Sequence, residues 1–451
     1  MRSSGGRSTS AARTRRALGS AAAALLGALA ALAAGLAPAC AQLVPGITQL
    51  EIPRPNANPL AAGGPVGVTE RLRPEYDPLG FPTAQGFFYP SVTGTVLYDD
   101  NVFASQSAQA DDLVMHLRPA FTFQSRRDTL SYIAGGYGDF AHYLGHESLS
   151  NSNAGATLGV IQEIGRDWEI ESQSGAKYDH QDPSSFASPV PNTAISHLPA
   201  YTILSEQVSA TRRVDRLSLS FGGGYQREDY QNVVVGGVLI KESDLDANAF
   251  SMTSRLGYAV TPLTRIFAEG EYLRRDYDNG VLNSNTVTTI VGTDFEFRRL
   301  TRGTVFAGIR QRQYDSALIG SLAAPTFGIN LEWFPTRLLT FTAVGRQDFA
   351  DTPITTPTGG SAVVDIKTLQ FEGDYEILRQ LIGTAVAGFE SDNYSLTNRT
   401  DKTLSLGLSL TYMLNRNLRL IGQYRITDRQ SSLAGFSYVR DEIGIGLKTQ
   451  Y

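Results

Sequence analysis

A strict alternation of apolar and small polar residues near the end of the chain constrains the fold most. Leu404, Leu406, Leu408, Leu410 and Tyr412 alternate with Ser405, Gly407, Ser409 and Thr411. A period of two puts one apolar face and one polar face on an extended strand, and no helix carries such a pattern. A water-soluble sandwich also alternates, but it rarely sustains long strands with Ser and Gly opposite the apolar face. The pattern therefore favours a membrane barrel.

The last strand of the chain alternates in the same way, with Ile443, Ile445, Leu447 and the terminal Tyr451 on one face. An aromatic residue that ends an alternating strand is similar to the signal by which bacterial outer-membrane barrels are recognised for assembly. These four residues are the predicted assembly signal. The predicted partners are the lipid bilayer and the outer-membrane assembly machinery, and the oligomeric state is left open.

The first 41 residues are typical of a secretory signal peptide. Five Arg precede an Ala/Leu run over residues 17–36, which Ala39-Cys40-Ala41 follows, and this order predicts cleavage before Gln42. The alternatives are an uncleaved anchor helix and a lipoprotein modified at Cys40. Removal of residues 1–41 moves the formal charge from -5 to -10. An acidic chain without basic clusters gives no reason to expect nucleic acid.

Residues 42–86 contain eight of the 20 prolines, which predicts a Pro-rich periplasmic extension because proline cannot continue a strand ladder. It is too short for a folded plug but long enough to enter a lumen. Residues 87–451 alternate between long strand patterns, eight short charged turns and nine longer polar connections. They predict an all-β fold, a transmembrane antiparallel up-and-down barrel of about 18 strands, or 16 if one hairpin is miscounted, with short periplasmic turns and long outer loops.

Aromatic residues and one connection suggest where the membrane boundaries lie. Trp168 and Trp333 stand beside short turns and are expected in a periplasmic girdle. An outer girdle is expected from Tyr98, Tyr178, Tyr230, Tyr277, Tyr314 and Phe349. The segment from Val233 to Ile240 predicts a hairpin that extends the barrel wall, and the connection from Asp182 to Pro199 is free to fold inward as a constriction.

The segment that leads into the barrel resembles a known group of proteins. The run from Val68 to Gly80, then Tyr89-Pro90-Ser91 and Tyr98-Asp99-Asp100-Asn101-Val102-Phe103, resembles the putative β-barrel porin families of Gram-negative bacteria. These include barrels found with exopolysaccharide biosynthesis and export systems. Phe81-Pro82 departs from the expected pattern at the start of the first strand. The resemblance implies a porin-type barrel in the cell outer membrane, with polysaccharide export components as candidate partners, and it supplies no catalytic residue.

No constellation of an enzyme emerges from the sequence. His142 and His146 fall on one face of a regular strand near Asp139, but no nucleophile completes a motif. The same histidines lack a third metal ligand, and Asp99-Asp100-Asn101 lacks the spacing of a calcium loop. We therefore expect no catalytic site, no cofactor and no metal.

The polar face of the strands supplies the candidate functional residues. Alternation assigns the following residues to the lumen: Glu169, Glu171, Lys177, Glu269, Glu271, Arg310, Arg312, Glu372, Asp374, Glu376, Arg419, Arg425 and Arg429. Acidic and basic walls that face each other would select solutes by charge. Three hypotheses follow: a channel for hydrophilic solutes or exported polymer, a closed structural or adhesive barrel whose loops bind surface polysaccharide, and a hydrolase that depends on His142.

Overall fold

The structure is a computed structural model that describes residues 66–183, 197–235, 237–317, 319, 321–355, 361–395 and 399–451. The predicted signal peptide and the first part of the Pro-rich extension, residues 1–65, lie outside the described residues. No helix in the described ranges is long and apolar enough to cross a membrane.

The described residues form 21 strands. In chain order they are β1 (Phe81–Pro82), β2 (Phe87–Asp99), β3 (Asp112–Arg127), β4 (Leu130–Tyr143), β5 (Asn151–Ile164), β6 (Trp168–His180), β7 (Ala200–Val214), β8 (Leu217–Tyr230), β9 (Val233–Val235), β10 (Val238–Ile240), β11 (Ala247–Thr261), β12 (Thr264–Tyr277), β13 (Ser284–Phe297), β14 (Thr301–Tyr314), β15 (Ser321–Thr336), β16 (Leu339–Thr355), β17 (Ser361–Leu378), β18 (Leu381–Tyr394), β19 (Arg399–Met413), β20 (Leu418–Ser431) and β21 (Tyr438–Gln450).

Eighteen of these strands close into one antiparallel barrel. β2 to β8 and β11 to β21 each pair with the next long strand along the chain, and β21 pairs back with β2. The prediction of an 18-stranded up-and-down barrel is confirmed. Closure leaves no free edge at the chain ends, which is a requirement for a sheet that crosses a bilayer.

The alternation that predicted the barrel also explains its two faces. On β19, Leu404 and Leu408 are 48% and 43% exposed on the outside, whereas Thr403 and Ser409 are 2% and 4% exposed. The apolar face therefore points to lipid and the polar face to the lumen, as in other membrane barrels. Ile443, Ile445, Leu447 and Tyr451 all belong to the exposed face of the chain end.

Connections differ at the two ends of the barrel. The eight periplasmic turns have two to four residues, and the nine outer connections have four to 19 residues. Asp128 and Asp215 adopt positive φ in two of the turns, a conformation that Asp tolerates better than most residues. The predicted asymmetry is present, although the last five outer connections are short.

The predicted periplasmic girdle fits the structure, but the outer one was partly wrong. Trp168 and Trp333 are 43% and 49% exposed beside periplasmic turns. In the predicted outer girdle, Tyr98 and Tyr178 are exposed as expected. Tyr277, Tyr314 and Phe349 are at most 5% exposed and form part of a buried cluster inside the outer end.

Segment 233–240 forms the predicted hairpin, with β9 paired to β10. It is a separate two-stranded sheet and adds no strand to the barrel ladder, so the expected extension of the wall was wrong. Val233, Val235 and Ile240 bury their side chains against one another instead.

The chain ends meet at a reinforced seam. β2 pairs with β21 from Ser91 opposite Gln450 to Asp99 opposite Glu442. β1 then pairs with the start of β2, and the ring of Phe81 stacks on that of Tyr451 with centroids 4.0 Å apart. Phe81-Pro82, the departure from the family pattern, thus forms the small strand that completes this seam.

Candidate functional site

All thirteen predicted lumen residues lie on the inward face of their strands. On β12, for example, the outward residues Ile266 and Tyr272 are exposed while the inward residues Phe267 and Leu273 are 5% exposed, and Glu269 and Glu271 share the inward parity. The same period holds for β6, β14, β17 and β20. Their role in solute selection remains a prediction.

Most of these charges are paired with neighbours on the same wall. Glu169 accepts a hydrogen bond from Arg213 at 3.0 Å. Lys177 lies 2.8 Å from Asp179, and Arg425 lies 3.8 Å from Glu442.

Further pairs occur on β12, β14, β17 and β20. Glu269 lies 3.5 Å from Arg255, and Arg310 pairs with Asp348. Two others have hydroxyl partners: Asp374 accepts a hydrogen bond from Thr384, and Arg429 donates to Thr403 at 3.2 Å.

The strand order brings some acidic and basic residues close together. The acidic strand β17 and the basic strand β20 are separated only by β18 and β19, and β12 and β14 only by β13. The acidic strand β12 and the basic strand β20, in contrast, are eight strands apart in the ring of 18 and lie on nearly opposite walls. The pairs neutralise each other locally, and the field across the lumen comes from the charges that remain unpaired.

One row of basic residues crosses four adjacent strands. Arg419 on β20 lies opposite Lys448 on β21, Lys448 lies opposite Thr93 on β2, and Thr93 lies opposite Arg118 on β3. The guanidinium of Arg118 stacks over the ring of Tyr137 at 4.5 Å and is 51% exposed. Sequence reasoning missed Lys448 and Arg118, although both alternate with lipid-facing neighbours.

Arg346 and Glu372 are inward charges without an oppositely charged partner among the described residues. Among the described residues Arg346 on β16 has no hydrogen-bond or ion-pair partner and is exposed. Val344, the preceding inward residue on the same strand, is also exposed, at 38%. Within the same described ranges Glu372 on β17 has no cationic partner. Exposure of inward side chains means that the middle of the lumen contains open space that water can fill.

The periplasmic mouth is partly covered by the docked segment, which comprises residues 66–80. Val68 is fully buried and packs against Ile382 and Met413 on the inner wall, and its N–H donates to Thr340 at 3.0 Å. Arg73, 2% exposed, donates to Glu376 at 2.8 Å. The described part of the Pro-rich extension therefore lies inside the periplasmic end of the barrel.

Further contacts anchor the docked segment along one side of the mouth. Arg71 also donates to Glu376, at 3.1 Å, and Glu70 lies 3.4 Å from Arg302. Arg419, from the basic row, donates to the carbonyl of Tyr76 at 3.4 Å. These contacts place the segment against β14 to β20, so the opposite side of the mouth carries no contact of this segment among the described residues.

The outer mouth holds two more sets of buried charges. Arg440 bridges Asp99 at 2.7 Å and Asp182, at the start of the long connection 181–199, at 3.0 Å. Arg312 contacts Asp351 at 3.0 Å, and each side chain of this pair is 2% exposed. Residues 184–196, most of the connection expected to form a constriction, lie outside the described residues.

Glu242, an acidic side chain in the outer connections, has a raised pKa. Glu242 lies in the short turn of 3₁₀ helix between β10 and β11 and is 2% exposed. Burial raises its pKa to about 8, the hydrogen bond from Gln181 opposes that shift, and the charge of Asp244 adds to it. The contact with Gln181 joins two outer connections above the lumen.

Three of the histidines contact different side chains. His142 contacts the hydroxyl of Ser150 at 3.4 Å, whereas His146, beyond the end of β4, contacts Asp112 at 3.1 Å. Asp139 pairs with His116 instead, at 3.2 Å. Among the described residues no group of three or more His, Cys, Asp or Glu side chains is arranged to hold a metal ion.

A closed barrel with an apolar outer face and a charged lumen defines an outer-membrane protein of porin type. The sequence profile of the family described as "Putative beta-barrel porin 2" matches residues 73–451, and the chain belongs to this family. No curated protein matches the chain.

Several solved structures share the barrel architecture at low identity. OccAB4 of Acinetobacter baumannii is 14% identical with a TM-score of 0.43, and the match covers 82% of this chain and 100% of that one. OpdK of Pseudomonas aeruginosa, solved with vanillate, is 12% identical with a TM-score of 0.43, covering 81% and 99%. The siderophore receptor PirA of Acinetobacter baumannii is 8% identical with a TM-score of 0.42, covering 82% and 81%. Similarities this weak carry no argument about solutes.

Proposed function

We propose that the protein is an outer-membrane channel that passes small hydrophilic solutes and favours anions. The observation that carries this proposal is Arg346, an inward cation that has no partner among the described residues and is more exposed than the unpaired acid Glu372. In the basic row, Arg118 and Arg419 pair with Asp139 and Asp77, so Lys448 is the member that adds unpaired positive charge among the described residues. Fixed charge along a water-filled constriction selects ions of the opposite sign.

Electrical recording tests the channel directly. The refolded mature chain is placed in a planar bilayer with a salt gradient, and its single-channel current and reversal potential are measured. We expect ohmic current steps with a reversal potential of anion-selective sign. Arg346→Gln should shift that potential toward the cation side by several millivolts, because the unpaired charge is lost.

The matched control is Lys402→Gln. Lys402 lies on β19, carries the same charge and is exposed on the lipid-facing side of that strand, the side of Leu404. Its loss should leave the reversal potential unchanged. Equal shifts in both variants would mean that selectivity arises outside the lumen and would refute the proposed role of Arg346.

A finer proposal concerns the solute. The family resemblance of the segment from Val68 to Gly80 supports a conduit for exopolysaccharide, with polysaccharide export components as partners. Deletion of the gene separates the two possibilities: a conduit changes the amount of exported polysaccharide, whereas a general channel changes only the uptake of small solutes.

A second candidate function is a closed structural or adhesive barrel whose outer loops bind surface polysaccharide. The docked segment, with Val68 and Arg73 buried in the periplasmic mouth, favours this alternative. Absence of current from the mature chain and from a chain that begins at residue 81 would support it, and current only after that truncation would make the docked segment a gate. Membership of a barrel family of porin type supports a non-enzymatic role in either case.

We further propose that residues 1–41 are a cleaved signal peptide and that the last strand, including Ile443 and Tyr451, is read by the outer-membrane assembly machinery. The N-terminal sequence of the protein purified from outer membranes tests the first proposal. Start of the mature chain at Gln42 is the expected result.

A further inference from the structure

One pair of neighbouring strands in the barrel wall is joined over only part of its length. The ladder between β15 and β16 runs from Thr336 opposite Leu339 to Gly328 opposite Arg346 and stops there. Both strands continue outward: β15 as far as Ser321, paired with β14, and β16 paired with β17. In the outer part of the wall, β15 and β16 therefore share no ladder hydrogen bond.

The outer part of β16 leaves the wall toward the lumen. Below the break its odd-numbered residues face lipid, where Phe341 stacks on Trp333 with centroids 5.4 Å apart. Above the break Phe349 has the same parity but is 3% exposed, packed in a cluster with Tyr277 and Tyr314. These two tyrosines belong to the inner face of β12 and β14.

We call residues Gln347–Asp351 of β16 and Val363–Lys367 of β17 the flap. Its former lipid side lies on the inner side of the wall, where Val363 joins Phe349 in the cluster and Leu322 and Ala324 of β15 pack against it. Its other face, with Ala350 and Val364, is also buried, against Tyr394 of β18. The flap thus overlaps the neighbouring wall from inside and narrows the outer mouth.

Two carboxylates hold the flap in this position: Asp348, which pairs with Arg310 of β14, and Asp351, which has the larger set of partners. Asp351 accepts hydrogen bonds from the hydroxyl groups of Tyr277 and Tyr314, each at 2.6 Å, and from Arg312 at 3.0 and 3.1 Å. All three donors belong to β12 and β14, and Asp351 is 6% exposed. A buried carboxylate requires such partners, and loss of one member of a buried ion pair leaves the other uncompensated.

The same sequence offers the flap a second arrangement. Continuation of the existing register would bring Ala324 opposite Ala350 and Ala323 opposite Asp351, extending the ladder over Ser321–Phe327. In that arrangement the odd-numbered residues of β16 would return to the outer face and the outer mouth would widen. The unpaired edge of β15 favours this second arrangement, because a backbone without ladder partners is unfavourable in a membrane wall.

We propose that the flap is a gate for the lumen: closed when Asp351 is held by Arg312, Tyr277 and Tyr314, and open when β16 pairs with β15 along its full length. Its opening widens the mouth while it completes the wall. The two states exchange side-chain contacts for backbone hydrogen bonds, which makes the gate bistable and not continuously deformable.

Disulfide trapping tests the second arrangement without reference to current. The variant Ala324→Cys/Ala350→Cys can form a bond only when the two strands are in the extended register, since facing residues of antiparallel strands have the Cα separation that a disulfide needs. The control pair is Asn330→Cys/Val344→Cys, which faces across the same two strands within the existing ladder. Cys40, in the predicted signal peptide, is the only native cysteine.

We expect the control pair to cross-link at the same rate with or without Asp351→Asn. The test pair should cross-link about tenfold faster once Asp351→Asn is introduced, because the lock no longer opposes re-pairing. Arg312→Gln should have the same effect. A heat-dependent gel shift shows that each variant has formed a barrel.

Two results would overturn the gate. Equal rates for the test pair with and without Asp351→Asn would mean that Asp351 does not hold the flap, and no cross-link in either background would mean that the extended register does not form. The electrical readout rests on the proposed channel and can fail separately: cross-linking that raises the current supports both proposals, whereas cross-linking without any current supports the flap motion and refutes the channel.

Discussion

Two seams in the barrel wall are closed by different means. Where the chain ends meet, β2 and β21 pair as far as the outer rim, and Phe81 stacks on Tyr451 at the other end. Between β15 and β16, well inside the sequence, the ladder stops at Gly328 and Arg346 and side chains close the rest. The weak place in the wall is therefore not where the chain begins and ends.

The difference shows what each kind of closure permits. A continuous ladder fixes both strands, because each backbone group already has its partner. Packing of side chains can be exchanged for another arrangement if the chain has a second register to enter. The wall is rigid where backbones pair. It can change its arrangement where the side chains of Phe349 and Asp351, and no ladder, close the gap between β15 and β16.

The largest difference in the free energy of unfolding should come from removing one buried aromatic ring from the continuous part of the wall and one from the flap. Phe267 lies in the continuous part of the wall, 5% exposed, with the guanidinium of Arg255 3.5 Å from its ring centroid. Phe267→Ala should lower the free energy of unfolding by about 3–5 kcal/mol. Phe349→Ala should cost less than about half of that, because the flap can leave its site and limit the loss. Urea titration of the folded, heat-modifiable form measures both, and equal losses would show that the flap is fixed core.

The cost of placing an arginine on the lipid face should show how deep in the membrane each seam lies. Ile445→Arg, in the closing seam, should cost about 2–4 kcal/mol, since an arginine there must enter the hydrocarbon region. Ala323→Arg, on the unpaired outer part of β15, should cost below about 1 kcal/mol, as expected near the interface. The same titration measures both. A larger cost at Ala323 would place the break deep in the membrane.

The docked segment is a second closure made by side chains, and it should be separable from the barrel. Arg73→Ala removes a buried partner of Glu376 and should loosen the segment by about 1–3 kcal/mol. Arg71→Ala removes a donor to the same carboxylate whose side chain is 26% exposed, so its effect should be smaller. Protease cleavage within residues 66–80 of the folded barrel measures the loosening. Faster cleavage in the Arg71 variant would contradict the assignment of Arg73 as the main anchor.

The smallest expected effect is a pH dependence at the outer connections. Burial raises the pKa of Glu242 from 4.5 to about 8, so the buried position of this side chain favours its neutral form. The stability of the buried arrangement is fully present below about pH 4.5 and is lost as the pH rises through 8. Amide exchange in residues 242–245, corrected for the intrinsic rate, should therefore speed up over this range. Glu242→Gln should abolish that trend, and a trend that persists would assign it to another group.

Much of this structure could be predicted from the sequence because the lipid bilayer imposes a simple rule on every strand. The period of two in β19 and β21 predicted a barrel, and the eight short turns and nine longer connections predicted the strand number. Alternation along β12 and β20 predicted the inward parity of Glu269 and Arg425. The break between β15 and β16 was not predicted. The sequence carries a trace of it, because Gln347 and Asp351 are polar at positions that would face lipid if the strand stayed in the wall.

The errors have a related cause. Tyr277, Tyr314 and Phe349 were assigned to an outer girdle because aromatic residues beside acidic loops are common there. Their burial depends on Asp351, which is distant from two of them in the sequence and reaches them only through the fold. Alternation predicts which way a side chain points from its own strand, but not which other strand crosses in front of it.

The stacking of Phe81 on Tyr451 is also a consequence of barrel closure. Tyr451 is the last residue, and the residue that covers one side of its ring comes from the opposite end of the barrel domain. While the sheet is still open the terminal ring is bare, and only closure brings the two ends together to cover it. The ring of Tyr451 is therefore uncovered while the sheet is open, and Phe81 covers one side of it once the barrel has closed.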